Sequence, residues 1–100
     1  MTAVSVIWYD RRFDAPTEAF PIGWTDVYLA QSTDGGVTWS PNRLITDTPS
    51  RWVGVESDGS PNFGDYINAV AADGVLYAAW ADARFGDPDV FFARVSPLAR

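Results

Sequence analysis

Ser32-Thr33-Asp34-Gly35-Gly36-Val37-Thr38-Trp39 is the stretch that decides the fold of this 100-residue chain. Two adjacent glycines supply the positive-φ conformations that a tight reversal requires. Asp34 is placed to accept hydrogen bonds from the N–H groups of the turn, and Ser32 adds a second local bond. Trp39 ends the motif with a large apolar side chain, expected to plug the space beneath its neighbour. A turn specified this closely joins two strands, so the sequence on either side is read for strands.

Working outward, the chain repeats itself. Trp8-Tyr9-Asp10-Arg11-Arg12-Phe13 matches Trp80-Ala81-Asp82-Ala83-Arg84-Phe85, and Asp26-Val27-Tyr28-Leu29-Ala30 matches Asp89-Val90-Phe91-Phe92-Ala93. Period-two alternation with β-branched and aromatic enrichment predicts strands over Val4–Asp10, Asp26–Ser32, Arg43–Thr46, Tyr66–Ala72, Val75–Asp82 and Asp89–Ser96. Asp73-Gly74 predicts a hairpin between the fourth and fifth. Helical periodicity is absent. Asp47 to Gly64, rich in Pro, Ser, Gly and Asp, reads as the loop between two units. The units span about 1–48 and about 64–97, with a linker of about 49–63. Trp52-Val53-Gly54-Val55 is either a short strand or an anchor over the core.

Composition narrows the chemistry. The chain is 47% hydrophobic with five Trp, enough for one small packed domain and too apolar for a disordered one. No apolar stretch approaches the ~20 residues of a membrane-spanning helix. Met1-Thr2-Ala3 leads into an apolar segment without a basic region, so no secretory signal is expected and the compartment is left unassigned. Thirteen acids against seven bases, all Arg, give a net charge of −6, which argues against nucleic acid or an anionic membrane as partner. There is no His and no Cys. Their absence removes disulfides, thiolate nucleophiles, the usual metal ligands and the standard hydrolase triads. Catalysis, if any, would fall to carboxylates, Tyr or Arg, the groups used by glycosidases.

Ser/Thr-x-Asp-x-Gly-x-Thr-Trp, complete here as Ser32, Asp34, Gly36, Thr38 and Trp39, resembles the Asp-box of sialidase-like (BNR-repeat) β-propellers. Trp80–Arg84 and Phe63-Gly64-Asp65-Tyr66 are similar to further motifs of bacterial members, and the likeness is to the last two blades. The resemblance implies an all-β chain of two propeller blades. The first would hold strands B, C and D, and the second strands A, B and C. A closed propeller takes 4–8 blades, so completion to six by homo-oligomerisation, as a homotrimer, is expected. The alternative architecture is a monomeric β-sandwich.

The same resemblance sorts the residues. The Asp-box is implied to be a structural turn on the face away from the active centre, with sugar binding by the box as the alternative. The central funnel would receive Asp10, Arg11, Arg12, Asp14, Asp65, Tyr66, Asp82, Arg84 and Asp87. A sialidase needs an Arg cluster for the substrate carboxylate, a Tyr nucleophile with a carboxylate partner, and an acid. Arg suits the first role because its planar fork matches a carboxylate. Asp10, Arg12, Asp82 and Arg84 are therefore the candidate binding residues, and Tyr66 with Asp65, or Tyr9 in its place, the candidate catalytic ones. Against this, Asp-x-Arg recurs at one spacing in both units, as an ion pair buttressing a strand corner would. The Phe/Tyr-Arg-Ile-Pro motif of sialidases is also missing. Asp58-Gly59-Ser60-Pro61-Asn62 or Asp87-Pro88-Asp89 offers oxygen ligands to Ca²⁺, though neither matches an EF-hand and no other cofactor is expected. Trp24 and Trp52 lie in predicted loops, where they either stack on a sugar or pack over the rim. The open strand edges are templates for pairing with another chain.

Three functions follow from this reading. One is a self-assembling two-blade module that binds glycans, with itself as partner and carbohydrate as ligand. Another is the C-terminal part of a sialidase-like glycoside hydrolase, inactive alone. A structural or interaction module without a small-molecule ligand is the third possibility.

Overall fold

Alternating apolar residues with stiff, branched side chains leave the backbone little choice but extended structure. The computed structural model describes residues 3–14, 23–52 and 66–96. Among them the chain is all-β, in two antiparallel sheets. The strands are β1 (Val4–Asp10), β2 (Trp24–Ser32), β3 (Arg43–Leu44), β4 (Ser50–Arg51), β5 (Ile67–Ala72), β6 (Val75–Asp82) and β7 (Asp89–Val95). The first sheet runs β1-β2-β3, with β4 also paired to β2, and the second runs β5-β6-β7.

The first and fifth predicted strands are found with the boundaries expected. Three others shift at their ends. β2 begins at Trp24, two residues early, because Trp24 and Thr25 pair with Arg51 and Ser50 of a strand that the sequence reading placed inside the linker. β5 starts at Ile67 and β7 stops at Val95. The strand expected over Arg43–Thr46 closes at Leu44, although the Ile45 N–H still donates to the Val27 carbonyl at 2.9 Å. Beyond it a side chain takes over from the backbone. Thr46 Oγ1 accepts from the Val27 N–H at 3.3 Å and donates to Asp26 Oδ1 at 2.7 Å. β3 and β4 thus form one interrupted outer strand along β2.

Turns behave as their residues dictate. Asp73 and Gly74 both take positive φ, 52° and 77°, the two left-handed positions of a tight β5–β6 hairpin. Gly35 and Gly36 do the same at 75° and 92°. Around them Ser32 Oγ donates to Asp34 Oδ1 and accepts from the Gly36 N–H, both at 2.8 Å. Asp34 also accepts from the Thr38 N–H at 2.8 Å and from the Thr38 hydroxyl. Trp39 departs from the expected plug. Its indole N–H bonds back to the Gly36 carbonyl at 3.1 Å, which holds the ring half-exposed on the turn itself.

The two sheets share one core. Val27 and Leu29 of β2 pack with Leu76, Ala78 and Trp80 of β6 and Val95 of β7, flanked by Ile7, Tyr9 and Ile45. Burial of the larger aliphatic side chains stabilises the pair by about 2 kcal/mol each. Tyr9 fastens the sheets across this core. Its hydroxyl donates to the Ala81 carbonyl at 3.1 Å and accepts from the Ala81 N–H at 2.9 Å. Trp52, the expected anchor, is buried with its indole donating to Thr25 Oγ1 at 2.8 Å.

Candidate functional site

Strand pleating puts Trp8 and Asp10 on one face of β1, and Trp80 and Asp82 on one face of β6. Each Trp indole donates to the carboxylate two residues on, at 2.9 Å in the first sheet and 3.0 Å in the second. The chain then turns, and the arginine two residues further folds back. Arg12 meets Asp10 through its backbone N–H, Nε and Nη2, each at 2.8 Å. Arg84 meets Asp82 through the same three groups at 2.9, 3.1 and 3.0 Å. The guanidinium lies over an aromatic ring in both places, Arg12 over Tyr28 at 3.9 Å and Arg84 over Phe91 at 4.1 Å. Those rings belong to the residues paired across the ladder with Trp8 and Trp80. The repeat seen in sequence is thus a repeated Trp–Asp–Arg–aromatic corner.

The two corners differ in their surroundings. The second is covered by the outer strand of the first sheet. Asp47 Oδ1 accepts from Arg84 Nη1 at 2.6 Å, and Ser50 Oγ accepts from the Ala83 N–H at 3.1 Å. As a result the Arg84 side chain is 11% exposed where that of Arg12 is 38% exposed. Asp82 is wholly buried, and Asp10 reaches the surface.

Electrostatics follow the contacts. The Arg12 hydrogen bonds hold the Asp10 carboxyl far below the ordinary range despite partial burial, and Asp10 in turn raises Arg12. Burial pushes Asp82 up, but Arg84, the Trp80 indole and Ser50 outweigh it and the carboxyl stays low. Asp47 is lowered by Arg84. At the other end of β2, about 20 Å away at 3.3 Å per residue, the Thr38 hydroxyl and N–H hold Asp34 at about 2.

Other candidate residues are placed as follows. The Asp14 side chain is buried, and its carboxylate accepts from the Trp24 N–H at 2.9 Å, the Gly23 N–H at 3.2 Å and Arg11 Nη2 at 2.9 Å. It fixes the return of the chain into β2. Tyr66 is exposed just before β5, Asp87 is exposed, and Asp65 lies outside the described residues. Tyr9 is committed to Ala81 as described above. Asp58–Asn62 also lies outside the described residues, and among the described ones no group of three or more His, Cys, Asp or Glu side chains is placed to hold a metal ion. A groove of about 400 Å³ opens at the corner end of the first sheet, between Phe13, Trp24, Leu44 and Pro49 with Asp26 and Asp47 at its edge.

Sequence reasoning missed Asp47, Ser50 and Thr46. Asp47 and Ser50 fall in a segment that reads as a polar loop, Thr46 ends a predicted strand with nothing to mark its hydroxyl, and the partners of all three are distant in the chain.

No protein-family model, curated protein or solved structure matches this chain.

Proposed function

We propose that the chain is a two-blade unit of a sialidase-like β-propeller that assembles head to tail with copies of itself, and that the assembled ring binds carbohydrate rather than catalysing its hydrolysis. One observation carries the reading: several equivalent positions of the repeat have opposite exposure, although Tyr28 and Ala30 in the middle of the front are buried. On the back of the first sheet Val27 is 1% exposed, and its counterpart Val90 on the back of the second is 82% exposed. On the front the order reverses, with Leu76 of the second sheet at 1% and its counterpart Val4 of the first at 44%. Each outer face has the composition of the face that is buried inside the chain. Val6 and Leu44 extend the open front, while Tyr77 and Phe92, stacked at 6.3 Å, extend the open back. A front face that fits a back face makes a heterologous interface, which closes into a ring when the rotation permits.

Head-to-tail pairing has a decisive test. Val6→Glu blocks the front and Phe92→Glu blocks the back, so each variant alone is expected to be monomeric. An equimolar mixture is expected to form one dimer, through the two faces left intact. A mixture that remains monomeric would contradict the reading.

Carbohydrate as the ligand rests on the resemblance and on the groove beside Phe13 and Trp24, whose aromatic walls and acidic edge suit a sugar ring. Both corner arginines already hold a carboxylate of their own chain, which supports a buttressing role for Asp10–Arg12 and Asp82–Arg84. Titration with sialic acid and with galactose is expected to quench Trp24, with Phe13→Ala weakening the response. No response to either sugar would leave assembly as the function.

One observation favours a second reading, that the chain is part of a sialidase-like glycoside hydrolase and inactive alone. Among the described residues β7 has no outer strand comparable to β3 and β4. Among those residues, the second sheet of a copy brings no counterpart of Asp47 to Arg12.

A further inference from the structure

Among the described residues the first corner lacks two contacts that the second one has. Trp8, Asp10, Arg12 and Tyr28 reproduce Trp80, Asp82, Arg84 and Phe91 contact for contact. The second corner has in addition a carboxylate from the neighbouring sheet, Asp47 on Arg84 at 2.6 Å, and a hydroxyl, Ser50 on the Ala83 N–H. Both come from one short segment, Asp47-Thr48-Pro49-Ser50, which lies beyond β3 and ends on the first residue of β4. The loop and the apolar face arrive together, because Ile45, just ahead of the loop, packs against the core.

We propose that the Trp8–Asp10–Arg12–Tyr28 corner is a docking surface for a sheet of the same repeat that carries its own outer strand and an Asp-x-x-Ser loop, the aspartate of which bonds to Arg12. Charge complementarity selects the partner. Arg12 keeps over a third of its side chain in water on a face otherwise bordered by exposed Val4, Val6 and Leu44. An arginine on such a face is desolvated when another sheet covers it, at a cost that a second carboxylate offsets. At the second corner that carboxylate is present. A partner sheet without the loop covers the apolar surface and leaves Arg12 without its second bond, so the loop confers selectivity among sheets of similar shape.

The inference rests on the reading of the front face as an interface, and its test separates the two. The probe is a synthetic peptide with the sequence of Ile45–Trp52, added to the isotope-labelled full chain and followed by nuclear magnetic resonance. Saturable shifts are expected at Arg12 Nε–H and the Trp8 indole N–H, with a millimolar dissociation constant. Asn in place of the peptide's Asp is expected to weaken binding at least about tenfold. Arg12→Gln, whose amide spectrum reports that it stays folded, is expected to lose the response. Equal binding of the Asn peptide, shifts confined to Arg84, a matching response to acetate, or no saturable shift would each overturn the proposal. Mass measured on the same samples decides the interface separately. In an oligomer the front is covered by a copy, so the titration is repeated on Phe92→Glu, whose front stays open. No saturable response there removes the loop inference alone, and an unmodified chain that is monomeric and responds keeps it while removing self-assembly.

Discussion

Arg84 and Asp47, 37 residues apart, meet across the two sheets at 2.6 Å and close a corner whose own carboxylate, Asp82, is sealed from solvent. The equivalent corner at Arg12 has the same internal bonds and stays open to water. One repeat is thereby seen in two environments, covered and uncovered.

That difference predicts unequal effects of equal substitutions. Arg84→Ala leaves Asp82 buried without its cation and is expected to cost about 3 kcal/mol of unfolding free energy. Arg12→Ala exposes Asp10 to water and is expected to cost clearly less. Urea denaturation of the two variants checks this, and equal losses would show that the covering loop does not matter energetically.

Tyr9 is the bond between the sheets that a single atom can remove. Tyr9→Phe keeps the ring and deletes the hydroxyl that bridges the Ala81 N–H and carbonyl. A loss of about 1 kcal/mol is expected, because the Ala81 N–H is left without this partner. Hydrogen exchange at the Ala81 amide should quicken while that of β2 does not.

Asp34 organises its turn through Thr38 and Ser32, at the end of β2 opposite the corners. Asp34→Ala is expected to lower Tm by several degrees and to leave any sugar affinity of the folded protein unchanged. Loss of binding in a folded Asp34→Ala variant would assign the turn a ligand role instead.

Acid is expected to unfold the protein through these carboxylates. Asp10, Asp34, Asp47 and Asp82 all sit below the ordinary value of 3.8 in the folded state. A carboxyl whose folded pKa is depressed contributes stability that is complete above its unfolded pKa and is lost as the pH falls through the folded one. The urea midpoint should therefore be flat from about pH 7 to about pH 5 and fall steeply from about pH 4 to about pH 2. The chain has no histidine to add a transition near neutrality. A decline that begins above about pH 5 would contradict this assignment.

Much of the fold was legible in the residues. Val4–Asp10 and Val75–Asp82 are runs rich in apolar, β-branched and aromatic residues that end at turn residues, so their strands and the Asp73-Gly74 hairpin could be read directly. The Asp-x-Arg ion pairs were legible because both copies carry the same spacing. What escaped was tertiary. Ser50-Arg51 is too short and polar to signal a strand, and it becomes one only because Trp24 and Thr25 offer an edge. Thr46 replaces a backbone bond with its hydroxyl, which no propensity encodes. The unequal burial of Asp10 and Asp82 arises from the neighbouring sheet and leaves no mark on either motif.

The most direct test of the central claim is the absolute mass of the unmodified protein in solution, by light scattering behind a sizing column. If the open front and back faces cover one another, the mass will be a discrete multiple of the 11.0 kDa chain, with three copies expected. A monomer that unfolds cooperatively with Val90 and Phe92 in water would contradict it.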